Sequence, residues 1–184
     1  MKIKHPETGI CGLSCRLCPN YQTDAKSRCP GCKSDYRMSA GCPFITCAVK
    51  NKGIEFCWDC EENKTCVKWK KHREAGKKHD SFKCYQALEN DIAFIQKHGV
   101  KKFIKGQKVK EKLLKAMLKD FNDGRSKSYY CIAATVMKTE ELRQIIIKAK
   151  KASAGINIKE RAKVLHKILD ETAAKKKYFL KLRK

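Results

Sequence analysis

The sequence predicts two architectures in one chain: a small cysteine-rich module of loops and knuckles over residues 1–68, then an all-α helical module over residues 69–184. Three observations predict this. Ten of the twelve cysteines fall between Cys11 and Cys66. Apolar positions after Val67 recur with a helical rhythm that the first part lacks. The charge divides at the same place. Through Cys66, ten Lys and Arg face seven Asp and Glu; from Val67 onward 33 face 12, within a total of +24.

The first module is rich in turn formers, as in Cys29-Pro30-Gly31-Cys32 and Gly41-Cys42-Pro43. A segment of this kind buries little apolar surface and needs another source of stability, most often a metal. Loops and one or two short helices are expected. Residues 67–79 (VKWKKHREAGKKH) read as a basic, partly helical connector.

Asp80-Ser81 then offers an N-cap for a helix running to about His98, where Gly99 stops it. Its inward positions are Tyr85, Leu88, Ile92 and Ile95. A second helix follows over Val100–Phe121, with Val109, Leu113, Met117 and Phe121 in steps of four and Leu114 and Leu118 alongside; Asn122-Asp123-Gly124 ends it. Ser126 or Ser128 caps a third helix, Tyr129 to Met137, apolar nearly all round and therefore central. Thr139-Glu140-Glu141 opens a fourth. Ile158–Leu182 reads as a fifth, with Val164, Leu165, Ile168 and Leu169 facing inward.

No run approaches the ~20 apolar residues of a membrane span. The N-terminus lacks the apolar stretch and small-residue cleavage site of a signal peptide. A cytoplasmic location is expected, and in a reducing compartment clustered cysteines point to metal or redox chemistry, not disulfides.

The spacing agrees. The first group is Cys11-x3-Cys15-x2-Cys18-x10-Cys29-x2-Cys32; the second is Cys42-x4-Cys47-x9-Cys57-x2-Cys60-x5-Cys66. Two residues between thiolates let one turn place both sulfurs on one ion, and a second pair completes a tetrahedron. Cys15, Cys18, Cys29 and Cys32 suit one such site, and Cys47, Cys57, Cys60 and Cys66 a second. Cys11 and Cys42 are spare donors able to displace a neighbour. His72 could replace a sulfur, although a solvated histidine in a basic stretch is the simpler reading. Eight thiolates with two divalent ions would bring this module close to neutral.

Zinc at two structural sites is the preferred reading, because the pairs lie apart. An iron–sulfur cluster with an electron-transfer or redox role is the alternative, since cysteine followed by proline is found in ferredoxin-like segments. The triplet Cys11, Cys15 and Cys18 also resembles the one with which radical S-adenosylmethionine enzymes hold three irons. Those enzymes place it after the first strand of a large barrel, and no strand-rich repeat follows here. No Walker loop, H-E-x-x-H, Ser-His-Asp set or paired catalytic carboxylates can be read, so no reaction is named.

Taken together, Cys11-Gly12-Leu13-x-Cys15-x2-Cys18-Pro19-x-Tyr21, Cys29-x-Gly31-Cys32, Cys47-Ala48 with Lys52-Gly53, and Cys57-x2-Cys60 with Cys66 resemble domain-of-unknown-function family 3795, found in bacteria and archaea. The resemblance covers about residues 9–66. Longer members are also similar over Asn122–Cys131. One departure is Lys64-Thr65, where the family tends to show an aromatic-proline pair. The resemblance implies metal binding and supplies no activity.

The charge suggests a polyanion, with nucleic-acid backbone contacted by the lysine-rich helices. The 35 Lys against 8 Arg argue against readout of a particular base sequence. Arg125, Ser126 and Ser128, before the most apolar helix, form a candidate anion site. Its plainer reading is a helix stop and a cap. Cys84 and Cys131 lie outside the groups and are expected to be packed.

Overall fold

The computed structural model describes residues 2–39 and 42–184, so Gly41 of the expected Gly41-Cys42-Pro43 turn lies outside the described residues. Among the described residues there are eight α-helices and no strand; one isolated bridge joins Thr8 to Ser14. The helices are α1 (Asp35–Ser39), α2 (Pro43–Ile45), α3 (Val67–Lys78), α4 (Leu88–His98), α5 (Val100–Phe121), α6 (Lys127–Val136), α7 (Thr139–Ala152) and α8 (Ile158–Lys176). None is long and apolar enough to cross a membrane.

Helices α5 to α8 surround the main core. Leu114, Met117 and Phe121 of α5 meet Tyr130, Ala133 and Ala134 of α6, Leu142 and Ala149 of α7, and Leu165 and Leu169 of α8. All are essentially inaccessible to solvent. Each large side chain so buried contributes about 1.5–3 kcal/mol. The Tyr130 hydroxyl donates to the Phe121 carbonyl (2.9 Å), so even the polar end of that ring is satisfied. The expected central position of α6 is therefore observed.

The α5 stripe differs from the expectation in its first half. Phe103, Gln107, Glu111 and Leu114 are buried there, while Val109 and Leu113 are only partly covered. The cause is the cysteine-rich segment, whose short turn Cys15–Leu17 packs against α5. Leu17 enters the main core. Arg16 pairs with Glu111 and, at 3.2 Å, with Glu7. Gln22 Nε2 donates to Glu111 Oε1 at 3.2 Å and to the Arg16 carbonyl at 2.7 Å. Burial alone would push the Glu111 carboxyl up, but Arg16, Gln22 and Lys115 hold it below its ordinary value.

Two helix boundaries also differ. The helix expected from Asp80 begins at Leu88, because the Asp80 carboxylate is taken elsewhere. It accepts from the Tyr85 amide and from Arg183, whose backbone N (2.9 Å) and Nε (3.0 Å) donate to Oδ2. Arg183 also donates to the carbonyls of Gly76 (2.7 Å) and Lys77 (2.6 Å) at the end of α3. The last helix stops at Lys176, short of the expected Leu182. Lys177 is left-handed (φ 58°) and the Tyr178 amide returns to the Ala173 carbonyl at 2.9 Å. The tail then turns back, burying Leu180 and delivering Arg183 to Asp80. Gly99, at φ 83°, ends α4 as expected and lets α5 start at the next residue, a turn that a Cβ would strain.

Candidate functional site

The cysteine-rich segment folds as short turns laid over two small apolar clusters, one around Leu13, Trp69, Leu88 and Ile92, the other around Ile10, Ile45 and Ala48. The second cysteine group is assembled by three local structures. Cys47 sits on a wide helical turn, Thr46–Asn51, that extends α2. Cys57 and Cys60 bracket a tight turn in which the Cys60 amide donates to the Cys57 carbonyl at 3.3 Å. Asn63 Nδ2 fastens that turn by donating to the carbonyls of Cys60 (2.7 Å) and Trp58 (3.1 Å). Cys66 stands at the N-cap of α3. All four cysteines line one cavity of about 40 Å³, closed by Phe44 and Trp69. Burial, then the neighbouring Cys11, Cys66, Cys47 and Cys60, pushes the Cys57 thiol up to about 12.

The first group is arranged by two turns. The Cys18 amide closes on the Cys15 carbonyl (3.0 Å) and the Cys29 amide on the Asn20 carbonyl (2.9 Å). Gly31, at φ 123°, reverses the chain where an added Cβ would lie 3.2 Å from the Pro6 carbonyl. Cys32 is thereby brought to Cys15, its amide donating to Cys15 Sγ at 3.2 Å. Lys83 Nζ, from the loop before α4, donates to Cys32 Sγ at 3.0 Å. The hydrogen bond from Cys15, with Lys83 and Arg37 nearby, lowers Cys32 strongly, while the same bond raises Cys15. Cys29, with Cys32 further off, raises the Arg37 guanidinium.

The spare donors lie between the groups. Cys11 feels Cys32 and Cys42, and burial pushes its thiol up to about 11. It also faces Cys57 of the second group. Cys42 packs with Cys57 over the Ile10 cluster. Among the described residues, no three His, Cys, Asp or Glu side chains converge at the spacing of a metal's ligands. Cys15 and Cys32 are in contact, and Cys47, Cys57, Cys60 and Cys66 border one cavity. Their chemistry suits a thiophilic ion, since each group offers sulfur, with Lys83, Arg37 and Lys52 beside it to temper the negative charge.

His72 is not the solvated side chain expected. Its ring lies among Phe44 (4.7 Å), Tyr85 (5.5 Å) and Trp69 (5.9 Å), with Nε2 buried and unpartnered, and burial lowers its pKa. Cys84 and Cys131 are buried, as expected, and with Cys18 line a cavity of about 60 Å³ between the cysteine-rich segment and the helices.

The anion-site residues are divided. Arg125 and Ser126 open onto a broad groove with Lys159, Lys163, His166 and Lys167, but Asp123, Asp170 and Glu171 line it too. Ser128 faces the cavity of Cys18 and Cys131 instead. The Ser126 hydroxyl donates to Asp123 Oδ1 (2.8 Å) and lies 2.8 Å from His166 Nε2. The hydroxyl thus links Asp123 to His166 within the groove.

Sequence reasoning missed two lysines. Lys83 had no motif to mark it. Lys33 is buried, its Nζ 3.3 Å from the His5 carbonyl and 3.7 Å above the Phe56 ring, and burial brings it down to about 8. Its position directly after Cys32 was the one available signal.

This arrangement of turns coincides with a family match. Residues 7–71 match the model described as protein of unknown function, DUF3795. This segment belongs to that family. The DUF3795 match ends at Lys71, before the Asn122–Cys131 stretch. No curated protein and no solved structure matches the chain.

Proposed function

We propose that the DUF3795 segment holds two metal ions through its cysteines and that the chain is a binding module whose lysine-rich helical part contacts nucleic-acid backbone. The observation that carries the metal reading is the common cavity lined by Cys47, Cys57, Cys60 and Cys66, four donors from three local structures. Cys15, Cys18, Cys29 and Cys32 would hold the other ion, with Cys11 and Cys42 as alternative donors. Zinc is preferred: a site of four thiolates leaves no open position for a substrate, and the ion supplies folding free energy. Lys83 serves that site by donating a hydrogen bond to sulfur, which orients the thiolate and lowers its charge density.

The net charge of +24 supports the polyanion reading. Backbone contact of this kind weakens steeply with added salt and depends little on base sequence.

Metal and acid-labile sulfide content, with a visible spectrum, tests the centre in protein purified without oxygen. About two zinc ions per chain and no sulfide are expected. Iron with matching sulfide would replace zinc by a cluster and bring redox chemistry forward; protein that retains no metal would remove the reading.

A further inference from the structure

The cations around the first cysteine group are interleaved with aromatic rings. The Arg37 guanidinium lies 5.9 Å from the Tyr36 ring and 5.8 Å from the Phe82 ring. Lys83 lies 5.1 Å from Phe82 while donating to Cys32. In the loop before Cys29, Arg28 likewise covers the Tyr21 ring at 4.7 Å and donates from Nε to the Tyr21 carbonyl at 3.0 Å. Tyr36 is 62% exposed and Phe82 51% exposed, so neither ring serves the core.

Lys83 ties this group to the cysteine turns, since the ammonium that lies by Phe82 also donates to Cys32. Arg37, one of only eight arginines among 35 lysines, stands here between two aromatic rings.

Rings set among guanidinium and ammonium groups are the composition of a stacking platform: each nucleobase offers a π face, and the cations take the phosphates between. In a duplex those faces are already covered by neighbouring base pairs, so exposed rings gain nothing from it. An acidic protein surface would satisfy the cations and leave the rings unused. We propose that the rim formed by Tyr36, Arg37, Phe82 and Lys83 binds single-stranded nucleic acid, bases stacking on Tyr36 and Phe82. This rests on the polyanion reading above and narrows it to one surface and one class of strand.

The test is fluorescence anisotropy of a labelled 12-nucleotide oligothymidylate and of a duplex of equal length, with the full chain in its metal-loaded form. The single strand is expected to bind more tightly. Tyr36→Ala and Phe82→Ala should each weaken it by about 10-fold, within the range for loss of one stacked base, while hardly changing duplex binding. Tyr36→Trp should restore the affinity, and the salt dependence should keep its slope because no phosphate contact is removed. Both rings are exposed, so circular dichroism and metal content should match the parent protein.

Single-strand affinity unchanged by both alanine variants would overturn the rim while leaving the general polyanion reading in place. So would an equal loss on strand and duplex, or loss of self-association in place of loss of oligonucleotide binding. If the parent protein binds neither oligonucleotide nor heparin at low salt, the general reading fails and this one with it.

Discussion

The cysteine-rich segment and the α5–α8 bundle are built on opposite economies. The bundle closes over one continuous core in which Leu114, Met117, Phe121, Tyr130, Leu142, Leu165 and Leu169 are fully buried. The cysteine-rich segment has two small clusters, and both lean on cysteines or on helices α3 and α4. Burial scales with chain length, and a segment this short gains too little from it to offset its conformational entropy. The bundle can hold itself; the cysteine segment needs a further source of order. The boundary is not a loose linker, since Leu17 and the Arg16–Glu111 pair fasten one part to the other.

Removing metal should break the comparison most sharply. Structural zinc supplies about 10–16 kcal/mol in small modules, so chelation should unfold the cysteine segment. Trp58 and Trp69 both stand in it or against it, and they are the only tryptophans. Their emission should shift to the red on chelation, while most of the far-ultraviolet helix signal, carried by α5–α8, remains. Coincident loss of both signals would show one cooperative unit. Leu114→Ala probes the other side. It opens a cavity in a fully enclosed site and should cost about 3–5 kcal/mol in urea unfolding of the bundle. The metal content should stay unchanged.

The two parts were also unequally legible. Helices α5 and α7 and the start of α8 were readable because apolar stripes and stop signals at Gly99 and Asn122-Asp123-Gly124 act locally. The spacing set Cys47, Cys57, Cys60 and Cys66 together as donors of one site, and the four line one cavity. What was hidden depends on distant partners. Gln107 and Glu111 read as solvent-facing on a helix, and only the arrival of Leu17 and Arg16 makes them interior. Asp80 looked like a cap until Arg183, far along the chain, took its carboxylate. Ser128 was separated from Arg125 and Ser126 by the helical turn itself, which points it to another face.

The joint between the parts gives the next effect. Arg16→Ala leaves Glu111 largely buried without its guanidinium, a loss of about 3 kcal/mol. Its pH dependence has a definite sign. Glu111 is held below its ordinary value by Arg16, Gln22 and Lys115, against the effect of burial. It therefore contributes stability above the ordinary carboxylate range, about 4.3, and loses it as pH falls through the lowered folded value. The stability difference between the parent protein and Glu111→Gln, followed by urea unfolding from pH 7 down to pH 3, should shrink toward acid. A difference constant with pH would mean that the carboxylate charge does not fasten the joint.

The smallest effect sharpens the claim that the bundle stands by itself. Asn157 caps α8, its Oδ1 accepting the Glu160 amide at 3.1 Å. Asn157→Ala should cost about 1 kcal/mol. That cost should appear undiminished in protein stripped of metal, because the cap belongs to a helix whose buried face rests on the other bundle helices, α5 and α7 with Tyr129 and Tyr130 of α6 against His166. Additivity holds for sites that share no partner, so chelation and the cap variant should act independently. A cap that matters only in the metal-loaded protein would show that the cysteine segment orders α8 from a distance, and the contrast between a self-supporting bundle and a dependent segment would then have to be given up.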